Sequence, residues 1–159
     1  GHTYVDGSCS VCGTAQPVID PNAVLDNATI SFADKANRTE YSTSKQVWVQ
    51  NGITVTNNKG ASTSNVGDYA NPARFYKSST LIIEGKGMTK IVFECDISTY
   101  NGETKDYTTP LKTALEAIEG ATVTMNNKTV TVEFATAQDS LTLSLAGGQA
   151  RIYSFTVNP

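Results

Sequence analysis

The sequence predicts an all-β, jelly-roll-like β-sandwich with one short capping helix. Three observations carry this expectation. From Asn27 onward apolar and polar residues alternate along most of the chain, as half-buried strands require. Residues that suit a pleated surface are abundant, with 22 Thr and 7 Tyr among 159 residues. Gly and Asn clusters break the alternation at short intervals, and one segment alone carries a helical period.

The elements follow in order. Ala28–Phe32 alternates cleanly, and Gln46–Gln50 reads as a strand with Val47 and Val49 on one face. Gly52–Thr56 places Ile53 and Val55 inward. Ser79–Glu84 holds the apolar run Leu81-Ile82-Ile83, and Lys90–Cys95 turns Ile91, Phe93 and Cys95 inward. Glu84-Gly85-Lys86-Gly87 separates these two as a turn. Ala121–Met125 and Lys128–Phe134 flank Asn126-Asn127, expected as a two-residue hairpin loop because Asn tolerates positive φ. Leu141, Leu143 and Leu145 mark the next strand, and Gln149–Val157 the last. Between them Leu111, Ala114, Leu115 and Ile118 form one helical stripe. Thr109 is its expected N-cap, Pro110 its first position and Gly120 its stop.

The first 26 residues differ. Cys9 and Cys12 form a Cys-x-x-Cys followed by Gly13, and Pro17 and Pro21 mark an extended linker. Residues 1–26 are therefore read as the remnant of an upstream module plus linker, and 27–159 as the sandwich. The chain is read as a piece of a longer polypeptide.

Composition excludes several functions. Charged residues make up only 17%, with net charge −3 and no basic cluster, so a nucleic-acid partner is not expected. No apolar run is long enough to span a membrane. The single His, at position 2, removes most His-dependent catalysis. No carboxylate pair sits in a glycosidase-like context, and no Gly-x-Ser-x-Gly, phosphate loop or His-Glu-x-x-His is present. No enzyme activity is expected.

Candidate binding residues remain. Trp48, flanked by Gln46 and Gln50 on the face opposite Val47 and Val49, offers an aromatic plate beside amides, as sugar stacking needs. The competing reading puts Trp48 in the core. Asp68, Tyr69, Asn71, Arg74 and Tyr76 form a polar–aromatic constellation, with Phe75 inward. It fits a sugar or acidic glycan held through Arg74, or a structural lock on loop carbonyls. His2, Cys9 and Cys12 supply three of the four ligands of a structural zinc; Asp6 or upstream sequence would supply the fourth. A local Cys9–Cys12 disulfide is the alternative. Asp20, Asp26, Asp34 or Asp139 could ligate a structural calcium. Cys95 reads as a small buried hydrophobe. Sequons start at Asn27, Asn37 and Asn127.

Gly1-His-Thr-Tyr…Cys9-Ser-Val-Cys12-Gly13 resembles the short repeat segments strung between domains of large secreted proteins of gut Firmicutes. The body resembles an accessory β-sandwich module of extracellular glycoside hydrolases, nucleases and surface proteins. The stretches that carry this are Ala28–Ala33, Gln46–Trp48, Asn51–Asn57, Ser62–Asn65 and Asn71–Tyr76. The resemblance implies a non-catalytic, carbohydrate-binding-module-like domain, extracellular or on the cell surface, working beside other domains of its polypeptide. A monomer is expected. It carries over no binding residues. The face arguments nominate Trp48, Tyr69, Tyr76 and Tyr100 as stacking plates, with Gln50, Asn71 and Arg74 bonding hydroxyls. The alternative is a structural spacer or protein-binding adhesin domain.

Overall fold

A computed structural model describes residues 26–158, and the backbone of residues 4–5 and 8–9. Strands β1 (Tyr4–Val5) and β2 (Ser8–Cys9) pair antiparallel. Then come β3 (Ala28–Ser31), a 3-10 turn (Lys35–Asn37), β4 (Arg38–Tyr41), β5 (Lys45–Gln50), β6 (Ile53–Asn58) and β7 (Ala73–Phe75). They are followed by β8 (Thr80–Cys95), β9 (Ile97–Tyr100), β10 (Glu103–Asp106), α1 (Thr109–Glu116), β11 (Ala121–Asn126), β12 (Thr129–Ser144) and β13 (Ala150–Asn158). β9 and β10 form a separate hairpin. The other nine strands from β3 onward form one curled antiparallel sheet, so the fold is all-β and sandwich-like, with one α-helix among the described residues.

The curl comes from two strands of 16 residues, β8 and β12. Residues 80–84 of β8 pair with β6 on one side, and residues 90–95 pair with β13 on that same side. β12 follows β8 through both halves, with register shifts between Glu133 and Gln138 and between Gln138 and Ser140. Each long strand thus belongs to both layers. The expected turn at Glu84–Gly87 is corrected: the chain stays in strand there and bends. Gly87 takes φ +70°, and extra residues on either strand bulge out and sharpen the bend. Asp139 clamps the corner, accepting from the Gly87 amide at 2.8 Å and from Lys86 Nζ at 2.9 Å. The expected break between Phe134 and Leu141 is the same bend seen from β12.

Loop chemistry fixes the hairpins. Asn51 and Gly52, both at positive φ, join β5 to β6 as a two-residue loop. Asn127 and Lys128 join β11 to β12, one residue later than predicted. Helix α1 also starts one residue off the expected cap. Thr108 is the N-cap residue, but Asp106 does the capping by accepting from the amides of Thr108 and Thr109 at 2.8 and 3.0 Å. Leu111 and Leu115 are fully buried and Ala114 and Ile118 partly so, as the stripe requires. The helix rests on β11, β12 and β13.

The core is aromatic at its centre. Phe32 meets Trp48 edge-on at 5.3 Å, Phe75 at 5.9 Å and Phe155 at 6.1 Å; Phe155 in turn meets Phe93 at 5.1 Å. Trp48 comes from one layer and Phe75 and Phe155 from the other, so this cluster joins them. Truncating Trp48 to Ala is expected to cost roughly 3–5 kcal/mol, read from urea unfolding. A cost under about 1 kcal/mol, the range of surface changes, would contradict the burial of its ring. Cys95 is 2% exposed, and burial first, then nearby carboxylates, pushes its thiol up to about 12. Peptide mapping after alkylation is expected to find label on Cys95 only in denaturant.

Candidate functional site

Strand register corrects two of the expected binding residues. Trp48 pairs with Val55 and Gln50 with Ile53, and paired residues on antiparallel strands point to one face. Ile53 and Val55 are fully buried, so Trp48 is buried with them, at 0% exposure. Val49, expected inward, is 41% exposed. Trp48 is therefore a core residue and cannot stack on a sugar. Gln50 is half-buried, and its Oε1 accepts the Ser31 amide at 2.8 Å. That bond has two counterparts. Asn51 Nδ2 donates to the Thr29 carbonyl at 2.8 Å, and Asn57 Nδ2 to the Arg74 carbonyl at 3.0 Å. Three amides of the β5–β6 hairpin thereby seal the free backbone edge of β3 and β7.

The predicted loop constellation does assemble in part. Tyr69, 45% exposed, lies under the Arg74 guanidinium at 3.6 Å. Gly67 lies against the Cδ2–Cε2 side of the same ring. A Cβ there would sit 2.7 Å from Tyr69 Cδ2 and 3.0 Å from the Tyr76 hydroxyl, so a larger residue would push the Tyr69 ring out of this position. Tyr69, Arg74 and Tyr76 thus form one group around Gly67. Asn71 is exposed in the same loop. Tyr100, 73% exposed, stands at the end of β9 in the separate hairpin. Beside the group lies an open pocket of about 370 Å³, lined by Thr63, Ser64, Tyr76, Lys77 and Gln149 among others.

Pins on β4 hold the loop. Tyr41 donates to the Val66 carbonyl, and the Val66 amide to the Thr43 carbonyl. Asp68 accepts from Arg38 Nη1 at 2.5 Å and from Lys35 Nζ at 3.0 Å. These bonds, Arg38's first, hold the Asp68 carboxyl below its ordinary range. Arg38 also lies over the Tyr41 ring at 4.6 Å and the Trp48 ring at 5.6 Å.

Two residues outside the predicted set complete the surface. On the outward face Arg151 of β13 is the register partner of Arg74. Its guanidinium lies over Tyr107 at 3.8 Å, and its Nε donates to Gln149 Oε1 at 2.5 Å. A row Tyr69–Arg74–Arg151–Tyr107 therefore runs across the strands. Nothing in the local sequence signals it, because only the β7–β13 register brings the arginines together.

Carboxylates named as calcium ligands have other partners. Asp34 accepts the Ala36 amide at 2.9 Å, and Asp139 clamps the β8 bend. No group of three or more His, Cys, Asp or Glu side chains among the described residues is placed to hold a metal. The expected zinc ligands His2, Asp6 and Cys12, the Cys9 side chain and the expected calcium ligand Asp20 lie outside the described residues. No helix among those residues is long and apolar enough to cross a membrane. Comparison with family models, curated proteins and solved structures gives no match.

Asp68 generates a pH prediction. A carboxyl depressed in the folded state stabilises above its unfolded pKa and loses that contribution as pH falls through the folded value. The melting-temperature gap between the parent and Asp68→Asn is expected to be level above the ordinary value of 3.8 and to close in stronger acid. A gap that persists unchanged through the acid range would show that Arg38 and Lys35 do not act on this carboxylate.

Proposed function

We propose that the chain is a non-catalytic carbohydrate-binding module of an extracellular bacterial protein, presenting a polysaccharide or host glycan to the rest of that protein. One observation carries this reading. An exposed tyrosine ring, an arginine and a second tyrosine hydroxyl are held together where a pinned loop runs into β7, beside an open pocket lined with hydroxyls. Sugars are bound by such a mixture of flat aromatic faces and fixed polar groups on preformed surfaces. The sandwich-like fold and the resemblance to accessory modules agree with it. The binding face is the Tyr69–Arg74–Tyr76 surface with Asn71 at its rim; Trp48 and Gln50 take no part. Single sites of this kind are weak and gain from neighbouring modules of the same chain.

The burial of Trp48 favours a second reading, a structural spacer or protein-binding adhesin domain in which Arg74 locks the loop. A glycan array with affinity electrophoresis separates the two. Retardation on at least one glycan, weakened at least about tenfold in Tyr69→Ala with Tyr76→Ala, is expected of a binding module. Absence of retardation on plant and host glycans alike would leave the spacer reading.

A further inference from the structure

We propose that the paired Arg74 and Arg151 bind an anionic substituent, a carboxylate or sulfate ester, of an acidic glycan. This rests on the glycan-binding reading above and names its substrate class. The backbone geometry comes first. The Arg151 amide donates to the Tyr107 carbonyl and its carbonyl accepts the Asp96 amide, while the Arg74 carbonyl is taken by Asn57. These groups point away from the β7–β13 contact, so the two arginines form a non-hydrogen-bonded pair. Their Cα atoms then lie about 4.5 Å apart, the closest cross-strand approach. Like charges set opposite each other destabilise a sheet.

No carboxylate among the described residues neutralises either arginine. The ion pairs that form use Lys35, Arg38, Lys45, Lys86, Lys90, Lys105 and Lys112, and neither Arg74 nor Arg151. The nearby carboxylate of Asp96 is buried and accepts from the Ser98 and Tyr153 hydroxyls instead. Arg74 Nε is buried without a hydrogen-bond partner. Each guanidinium spends its flat face on a tyrosine, which leaves its edge donors for a planar or tetrahedral oxyanion. Gln149 fixes the orientation of Arg151 and also lines the open pocket with Tyr76 and Lys77. The pair therefore adjoins an open pocket with a third cation, Lys77, in its lining, which suits a glycan with more than one acidic group.

The test uses the full chain in affinity electrophoresis and calorimetry. The probes are oligogalacturonate and its methyl ester, dextran sulfate and dextran. Binding to one or both acidic probes, with neither neutral probe retained, is expected. Retention of oligogalacturonate alone assigns a carboxylate, and of dextran sulfate alone a sulfate ester. Arg74→Gln and Arg151→Gln should each weaken acidic binding by at least about tenfold, the scale of a charged hydrogen bond. Their melting temperatures should hold or rise as one of the two like charges on this cross-strand pair is removed. Arg74→Lys and Arg151→Lys keep the charge and the fold but lose the fork, and should bind more weakly than the parent. Equal retention of acidic and neutral probes, unchanged by either Gln substitution, would overturn the proposal and leave the module reading intact. Melting temperatures that fall in both Gln variants, with acidic binding unchanged in the Lys variants, would also overturn it, making the pair a structural clamp. No retention of any of the four probes would overturn the proposal, and the module reading falls with it only if the glycan array is blank as well.

Discussion

One constraint shapes the molecule: β8 and β12 each serve two layers. A sheet that must bend through both of its longest strands cannot keep all their neighbours in parallel file. Along the same edge of β8, β6 pairs with the first half and β13 with the second, so these neighbours diverge at the corner. The divergence leaves β3 and β7, on the far edge of β13, with free backbone groups facing the β5–β6 hairpin. An unpaired sheet edge invites association with other chains. Here Gln50, Asn51 and Asn57 supply the missing hydrogen bonds with side-chain amides. An amide both donates and accepts and carries no charge, so it can seal an edge near the core without the penalty of burying an ion. Part of the Asn and Gln content of the chain, which gives a sugar-binding impression from sequence, is spent on this closure.

Local chemistry was legible in the sequence where a residue's neighbours decide its fate. The inward faces of the strands carrying Ile53, Ile91, Val130 and Leu141, and the stripe of α1, follow from period alone. Thr122, Thr124 and Thr142 lie exposed opposite those faces, so the low charge reflects a sheet coated with hydroxyls. The bends were not legible, because Glu84-Gly-Lys-Gly87 has the composition of a turn and only pairing with β12 keeps it extended. The orientation of Trp48 could have been read. Asn51-Gly52 is a strong two-residue hairpin signal, and that loop forces Trp48 opposite Val55. Taking Gln46 and Gln50 as marks of an outward face overrode it, although the inward face has room for polar groups: Gln46 and Asn57 are buried together there.

The chain has three arginines, and all three guanidiniums lie over aromatic rings. Their charge environments differ. Arg38 is neutralised by Asp68, and its ring and ion-pair contacts both fasten the long loop to β4. Its geometry is complete without a partner. Arg74 and Arg151 have the stacking without the counter-ion, and they face each other across a strand pair. A purely structural role would be served as well by one arginine opposite a neutral polar residue. Keeping both charges at the lip of a sealed edge, each held flat by a tyrosine, costs stability in the free molecule. Rigid placement limits the entropy lost when a ligand arrives, and an arriving anion removes the repulsion at the same moment. Destabilisation in the unbound state and complementarity in the bound state are then two faces of one arrangement. The amide seal beneath Arg74 holds that arrangement in place, since Asn57 fixes the backbone carbonyl of Arg74 itself.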